Sequence, residues 1–318
     1  MITQLLLCAF ALDTVVAFFS TQLLSPAIQS VHHGGNPYCT HHCHTARQWH
    51  LQASTSSATT DLTARLSADH LRELAEEKYV IIPNFLPADL QEELRGDVAQ
   101  LRQTSKFNVA KIGQDATNTL NTQIRVAETC FIGPGRYPDV PSEARDKLYD
   151  ILDTVRQDLS NFFERPLDRQ LTELLYAYYP QGGFYRRHRD AIPGSASVLR
   201  EYSLLLYLNK EWKDEDGGKL RMHFDGGGDT LPEGVAPNFR DIAPEGGTLV
   251  LFESDAVPHE VLDTQKERVA VIGWYNRPMA LKDVAEISGN EAGNPMQVAM
   301  LGVAAALVTI GVAQILSS

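Results

Sequence analysis

Three side chains in this sequence have the chemistry of a metal site. His188 and Asp190 lie two residues apart in the stretch Tyr179-Pro-Gln-Gly-Gly-Phe-Tyr-Arg-Arg-His188-Arg-Asp190, and His259 opens Pro258-His259-Glu-Val. In extended backbone, side chains at i and i+2 fall on one face, so the His188 imidazole and the Asp190 carboxylate can reach one point in space. His259 follows Asp190 by 69 residues, and Arg268 follows His259 by nine. Two imidazoles and one carboxylate on one side of a metal form the facial triad that holds non-haem Fe(II) and leaves positions open. No thiolate stands beside them to draw the site toward structural zinc.

A lone His-x-Asp is a common surface pattern; the elements that must position it make this one specific. Leu204-Leu-Leu-Tyr-Leu208, Gly246-Gly-Thr-Leu-Val-Leu-Phe252 and Arg268-Val-Ala-Val-Ile-Gly-Trp-Tyr275 are apolar, β-rich runs separated by Gly, Pro and Asp turns. That pattern predicts a mainly β, double-sheet jelly roll (a double-stranded β-helix) with its strands between Leu174 and Arg277. Flanking helices are expected where apolar residues recur at helical spacing. These are Leu71, Leu74 and Ala75 behind an Ser67 N-cap; Leu90, Leu94, Val98 and Leu101; and Leu148, Ile151, Leu152, Val155, Leu159 and Phe162. Tyr79–Ile82 and Ile124–Phe131 read as strands, Lys106–Leu120 as a polar loop, and Gly226–Asn238 as a turn-rich insertion.

Here the motifs resemble a known family, the 2-oxoglutarate- and Fe(II)-dependent dioxygenases of the prolyl hydroxylase type, and within them the hypoxia-inducible-factor prolyl hydroxylases. The resemblance rests on Tyr179-Pro, Tyr185-x-x-His188-x-Asp190, Tyr207-Leu-Asn-Lys-x-Trp212, Gly217-Gly218, Pro258-His259-Glu-Val and Arg268 followed by Trp274-Tyr275, and it runs from Leu66 to Arg277. It implies His188, Asp190 and His259 as iron ligands. Arg268 is the expected partner of the far carboxylate of 2-oxoglutarate, because a guanidinium fork matches a carboxylate with two hydrogen bonds. The resemblance places Tyr207 and Tyr179 in the same cosubstrate pocket, and Arg200 and Trp274 beside the substrate. It further implies O2 as cosubstrate, ascorbate to keep the iron reduced, a lid role for the Lys106–Leu120 loop, and a prolyl residue of a protein or peptide as substrate. A small metabolite is the alternative substrate. A non-oxidative metal-binding jelly roll would have no need of Arg268 and Tyr207 together, and an inactive interaction module would have no need of all three intact ligands. His70 and His223 read as structural.

Net charge is −12, and the 28 Lys and Arg of the 318 residues are scattered, which argues against a nucleic-acid-binding face. At 43% hydrophobic and 21% charged the chain has ample material for one sizeable core. Of the four cysteines, Cys8, Cys39, Cys43 and Cys130, one falls in the expected catalytic domain, so no disulfide framework supports it.

The expected organisation is a leader over 1–60, the dioxygenase domain over 61–285, a linker over 286–296 and a hydrophobic helix over 297–316. In the leader, an apolar run at Leu5–Leu12 precedes an acid-free, hydroxyl-rich segment from Phe18 to Thr60, the composition of a targeting peptide. It resembles the bipartite plastid leaders of algae with secondary plastids, with a secretory signal as the alternative. Cys39-Thr-His-His-Cys43-His44 has zinc-ligand residue types but no second ligand pair at finger spacing. Val298–Leu316 is 19 residues long with Gln314 its one strongly polar side chain. Such a run matches the hydrocarbon core of a bilayer and predicts a membrane anchor.

Overall fold

The computed structural model describes residues 65–113, 119–228 and 230–280, together with 283 and 287. The leader, the Cys39–His44 tract and the Val298–Leu316 run lie outside the described residues. Among the described residues no helix is long and apolar enough to cross a membrane.

Helix α1 (Ala68–Glu77) begins where the Ser67 hydroxyl accepts from the His70 backbone N–H and the His70 ring accepts from the Ser67 N–H. This capping box uses an imidazole in the place usually held by Glu or Gln. Strand β1 (Tyr79–Ile82) follows directly, then α2 (Ala88–Gln103), β2 (Asn108–Val109), β3 (Arg125–Val126), β4 (Glu128–Phe131) and α3 (Glu143–Phe162). Eight further strands complete the domain: β5 (Leu174–Tyr179), β6 (Phe184–His188), β7 (Arg200–Tyr207), β8 (Leu220–His223), β9 (Phe239–Ile242), β10 (Leu249–Glu253), β11 (His259–Val261) and β12 (Arg268–Asn276).

The strands form two antiparallel sheets. The larger has the order β1-β10-β7-β12-β5-β4-β2, and the smaller β3-β6-β11-β8-β9. Strand β7 shows why its sequence is an unbroken apolar run rather than an alternation. Leu204 and Leu206 face the helices, in a core shared with Leu94, Leu101, Leu148 and Leu152. Leu205 and Tyr207 face the other way, toward Leu220, Met222 and Ile242 of the smaller sheet. A strand covered on both faces has no solvent side to make polar. The larger sheet is therefore sandwiched between helices and the smaller sheet, which is the jelly-roll layering expected with its helical buttress.

Three local expectations are corrected. Ile124–Phe131 is two short strands in different sheets: Arg125 and Val126 pair with β6, whereas Glu128–Phe131 pair with β5. The crossing at Ala127 is possible because Gly183 lets β3 come close; a Cβ there would lie 2.9 Å from the Val126 carbonyl oxygen. The Lys106–Leu120 stretch contains strand β2 and a bridge between Ile112 and Thr119, so it is partly built into the sheet edge. Phe162, placed in the apolar stripe of α3, is exposed at the helix end. The stripe of α2 also does more than pack. Asp97 lies buried in it, ion-paired with Arg145 of α3 at 3.0 Å and accepting from the Tyr176 hydroxyl at 2.9 Å. That pair staples both helices to β5.

Candidate metal centre and cosubstrate pocket

The register of the smaller sheet brings the two histidines together. His188, the last residue of β6, pairs directly across from His259, the first residue of β11. Asp190 lies just past the end of β6 rather than on it, because after His188 the chain leaves the ladder and the Ala191 N–H instead donates to the Ser254 carbonyl. The carboxylate still returns to the same side. His188 Nε2 is 3.6 Å from Asp190 Oδ1 and His259 Nε2 is 3.7 Å from Asp190 Oδ2. Among the described residues these three form the one cluster of potential ligands, with their ligating atoms within 4.8 Å of one another. Neighbouring ligands at ~2.1 Å from an octahedral ion are separated by ~3 Å, so a small inward movement closes the site on a metal.

Both imidazoles are oriented for this. The Nδ1 of His188 lies 2.8 Å from the Arg186 carbonyl and that of His259 3.1 Å from the Val257 carbonyl, which fixes the proton on Nδ1 and leaves Nε2 as the ligand. Burial pushes the His259 pKa down to about 4, with His188 adding to the effect and Asp190 opposing it, so the ring is neutral at physiological pH. Burial alone would raise Asp190, but His259 and His188 hold its carboxyl well below the usual carboxylate range.

Sequence reading passed over two supporting residues. The Ser203 hydroxyl donates to Asp190 Oδ2 at 2.7 Å and lies 2.9 Å from the Ser254 hydroxyl. Both serines are wholly buried. The signal was a serine hydroxyl set directly before the Leu204–Leu206 run of β7, where an unsatisfied O–H is costly and must have a partner. Tyr185 supports the site as well: its ring stacks on His188 with 3.6 Å between centroids.

On the larger sheet, Arg268 opens β12 opposite Tyr179 of β5, and Ala270 pairs with Tyr207 of β7. The guanidinium thus lies 4.9 Å from the Tyr179 ring and 5.1 Å from the Tyr207 ring. Its Nε donates to the Gly218 carbonyl at 2.9 Å. Gly218 is required there, with φ at +68° and the Thr264 methyl 2.8 Å from where a Cβ would be. Nη1 and Nη2 of Arg268, and the hydroxyls of Tyr179 and Tyr207, are buried with no hydrogen-bond partner among the described residues. Burial pushes the Tyr207 pKa up to about 12, so it remains a neutral donor.

Arg200 and Trp274 line a cavity of about 1010 Å³ that also reaches His188, Asp190, His259 and Tyr179. Arg200 is not a free hand in it. The guanidinium makes a two-pronged ion pair with Glu173, at 3.1 and 2.5 Å, donates to the Asp190 carbonyl at 3.0 Å, and stacks 3.8 Å over the Trp274 ring. His70 caps α1, as above. His223 is held between Arg187 at 3.3 Å and Glu260 at 3.2 Å, in a structural network away from the triad.

The buried polar atoms fit the groups that the residue pattern implies. Three oriented ligands, facing open space, suit a divalent ion; a buried, unneutralised guanidinium with two phenols beside it suits a carboxylate. This is the architecture of a non-haem iron oxygenase that takes a 2-oxo acid. Residues 174–276 match the 2OG-Fe(II) oxygenase superfamily. The structure is similar to that of a prolyl-4-hydroxylase from Pseudomonas putida, with 31% identity over 67% of this chain and 99% of that one and a TM-score of 0.54. It is also similar to a prolyl hydroxylase from Trichoplax adhaerens, solved with a peptide fragment of a hypoxia-inducible-factor oxygen degradation domain; identity is 27% over 65% of this chain and 87% of that one, with a TM-score of 0.54. By sequence, 130 residues are 30% identical to prolyl 3-hydroxylase OGFOD1 of Xenopus laevis, which is 40% of this chain but only 24% of that protein. The chain belongs to the 2OG-Fe(II) oxygenase superfamily and is a 2-oxoglutarate-dependent dioxygenase.

Proposed function

We propose that this enzyme hydroxylates a prolyl residue of a protein or peptide, with oxidative decarboxylation of 2-oxoglutarate to succinate. The observation that carries the cosubstrate half is the buried Arg268, whose two terminal nitrogens have no hydrogen-bond partner among the described residues. Leaving a cation so placed costs several kcal/mol unless a ligand neutralises it, and the far carboxylate of 2-oxoglutarate would do so. The prolyl half is supported by the similarity to two prolyl hydroxylases of known structure and by a cavity roomy enough for a peptide segment.

In this reading His188, Asp190 and His259 hold Fe(II) through Nε2 and a carboxylate oxygen. Bound iron and 2-oxoglutarate together supply, with O2, the oxidant for an unactivated C–H bond. Everything else falls to the protein. Ser203, backed by Ser254, holds the Asp190 carboxylate in one orientation. Tyr185 fixes the His188 ring by stacking. Arg268, Tyr207 and Tyr179 orient the cosubstrate, and the surrounding apolar strands exclude water. Arg200 acts through others, fixing the main chain at Asp190 and the face of Trp274, while Trp274 presents its ring to the substrate. Ascorbate is included as the reductant that keeps the iron ferrous. We further propose that Val298–Leu316 anchors the enzyme in a membrane and that residues 1–60 direct it there, to a plastid or into the secretory pathway. Incubation with proline-containing peptides from its own compartment should give a product heavier by one oxygen atom in the mass spectrum. Turnover of 2-oxoglutarate stimulated by a small metabolite, with no peptide hydroxylated, would overturn the prolyl reading.

A further inference from the structure

The charge along the cavity does not match that of the whole molecule. The chain carries a net −12, yet Lys111, Arg125, Arg189 and Arg200 line the cavity. Against them stand two carboxylates among the described lining residues, and both are committed: Asp190 to the metal position and Glu173 to Arg200. Arg189 extends away from the triad, donating to the Asp255 and Gly227 carbonyls. That leaves Lys111 and Arg125 on one rim.

These two are tied together and to the centre. Arg125 donates from Nη1 to the Lys111 carbonyl at 3.4 Å, and its guanidinium lies 4.5 Å from the centroid of the Tyr185 ring, which itself stacks on the ligand His188. The Arg125 Nε is buried and has no hydrogen-bond partner among the described residues. Neither cation is ion-paired with a carboxylate among the described residues. Beside them the rim is apolar and solvent-exposed at Val109, Phe131 and Ile192, at 60%, 41% and 52% exposure. Large apolar side chains exposed together around a cavity mark a binding surface.

We propose that the peptide substrate is acidic: an Asp or Glu side chain close to the target proline is met by Lys111 and Arg125, with apolar neighbours resting on Val109, Phe131 and Ile192. This rests on the prolyl reading above and names its substrate class. A partly buried guanidinium beside an exposed ammonium attracts a carboxylate more strongly than either does alone in bulk water, and the attraction is screened by salt.

The test compares peptides identical except for Glu, Gln or Lys near a single proline, using the purified full-length protein. The Glu peptide should have about tenfold higher kcat/KM than the Lys peptide at low ionic strength, and the gap should shrink at ~0.5 M salt. In the double variant Lys111→Glu/Arg125→Glu the preference should reverse toward the Lys peptide, a gain that no misfolded protein can show. The single variant Lys111→Glu, at an exposed position, should narrow the gap. Hydroxylation of all three peptides with equal kcat/KM would overturn the inference while leaving the prolyl reading intact. Failure to hydroxylate any of them, with 2-oxoglutarate consumption driven by a small anion instead, would overturn the prolyl reading and this inference with it.

Discussion

Replacing Arg268 with Met should have opposite effects on cosubstrate binding and on the stability of the cosubstrate-free protein. The two terminal nitrogens of Arg268 are each set to make a charge-assisted hydrogen bond to one carboxylate. At about 1.5–3 kcal/mol each, their loss amounts to about 3–6 kcal/mol, or roughly 10²- to 10⁴-fold in the 2-oxoglutarate dissociation constant. In the cosubstrate-free protein those same nitrogens are buried and unmatched. Met removes an uncompensated charge, which offsets the lost bond from Nε to the Gly218 carbonyl, worth ~1 kcal/mol. The assay is thermal unfolding with a redox-inert divalent metal in place of iron, titrated with 2-oxoglutarate. Wild-type protein should gain Tm as cosubstrate is added, by ~2.7 kcal/mol of stability at a hundredfold excess over Kd. Arg268→Met should show a metal-dependent Tm like that of wild type, or higher, and no cosubstrate shift in the same concentration range. An unchanged titration midpoint would refute the reasoning and mean that another cation holds the 2-oxo acid.

Further perturbations test other parts of the site. His188→Ala should abolish metal binding and turnover; retained activity would remove it from the ligand set. Ser203→Ala leaves Asp190 Oδ2 and the buried Ser254 hydroxyl without this partner and should weaken metal binding about 10- to 100-fold, read by competition with a chelator, with a loss of about 1–3 kcal/mol in stability. His259 titrates at about 4 in the metal-free fold but near 6.5 when unfolded. The unfolded chain therefore binds the extra proton between those values, and metal-free stability must fall as pH drops from about 6.5 to 4, by ~2–3 kcal/mol from this group. The pH dependence of Tm should flatten over that window in His259→Ala, and an unchanged slope would contradict the assignment. Removal of residues after Asn294 should release the protein from membranes without loss of turnover; a full-length protein already found in the soluble fraction would refute the proposed anchor.

The parts of the site most legible in the sequence were those whose chemistry permits few residue types. Two imidazoles and a carboxylate at His188, Asp190 and His259, with an Arg opening an apolar strand, have little other common use. The sheets were legible because β7, β10 and β12 are apolar on both faces. Ser203 and Ser254 were not, since a serine hydroxyl in or just past a strand has many possible partners and only the fold selects one. Nor was the engagement of Arg200, because Glu173 lies 27 residues earlier, just before β5, and meets it only through the pairing of β5, β12 and β7. The same limit explains Ile124–Phe131. Its residues are all acceptable in one continuous strand, and their division between sheets follows from pairing with β6 and β5, segments far along the chain. Asp97 sits at helical spacing within an apolar stripe, where pattern alone cannot reveal the buried Arg145 that neutralises it.

In the proposed reaction a prolyl residue is oxidised at iron held by His188, Asp190 and His259, at the expense of 2-oxoglutarate held by Arg268. The most direct measurement follows succinate formation and peptide oxygen incorporation in one reaction, with Fe(II), ascorbate, O2 and a proline-containing peptide. The account predicts one succinate for each hydroxylated peptide, both lost in His188→Ala, and none from the same peptide with the proline replaced by alanine. Succinate formed at an equal rate with and without the proline, or a product that carries no new oxygen, would contradict it.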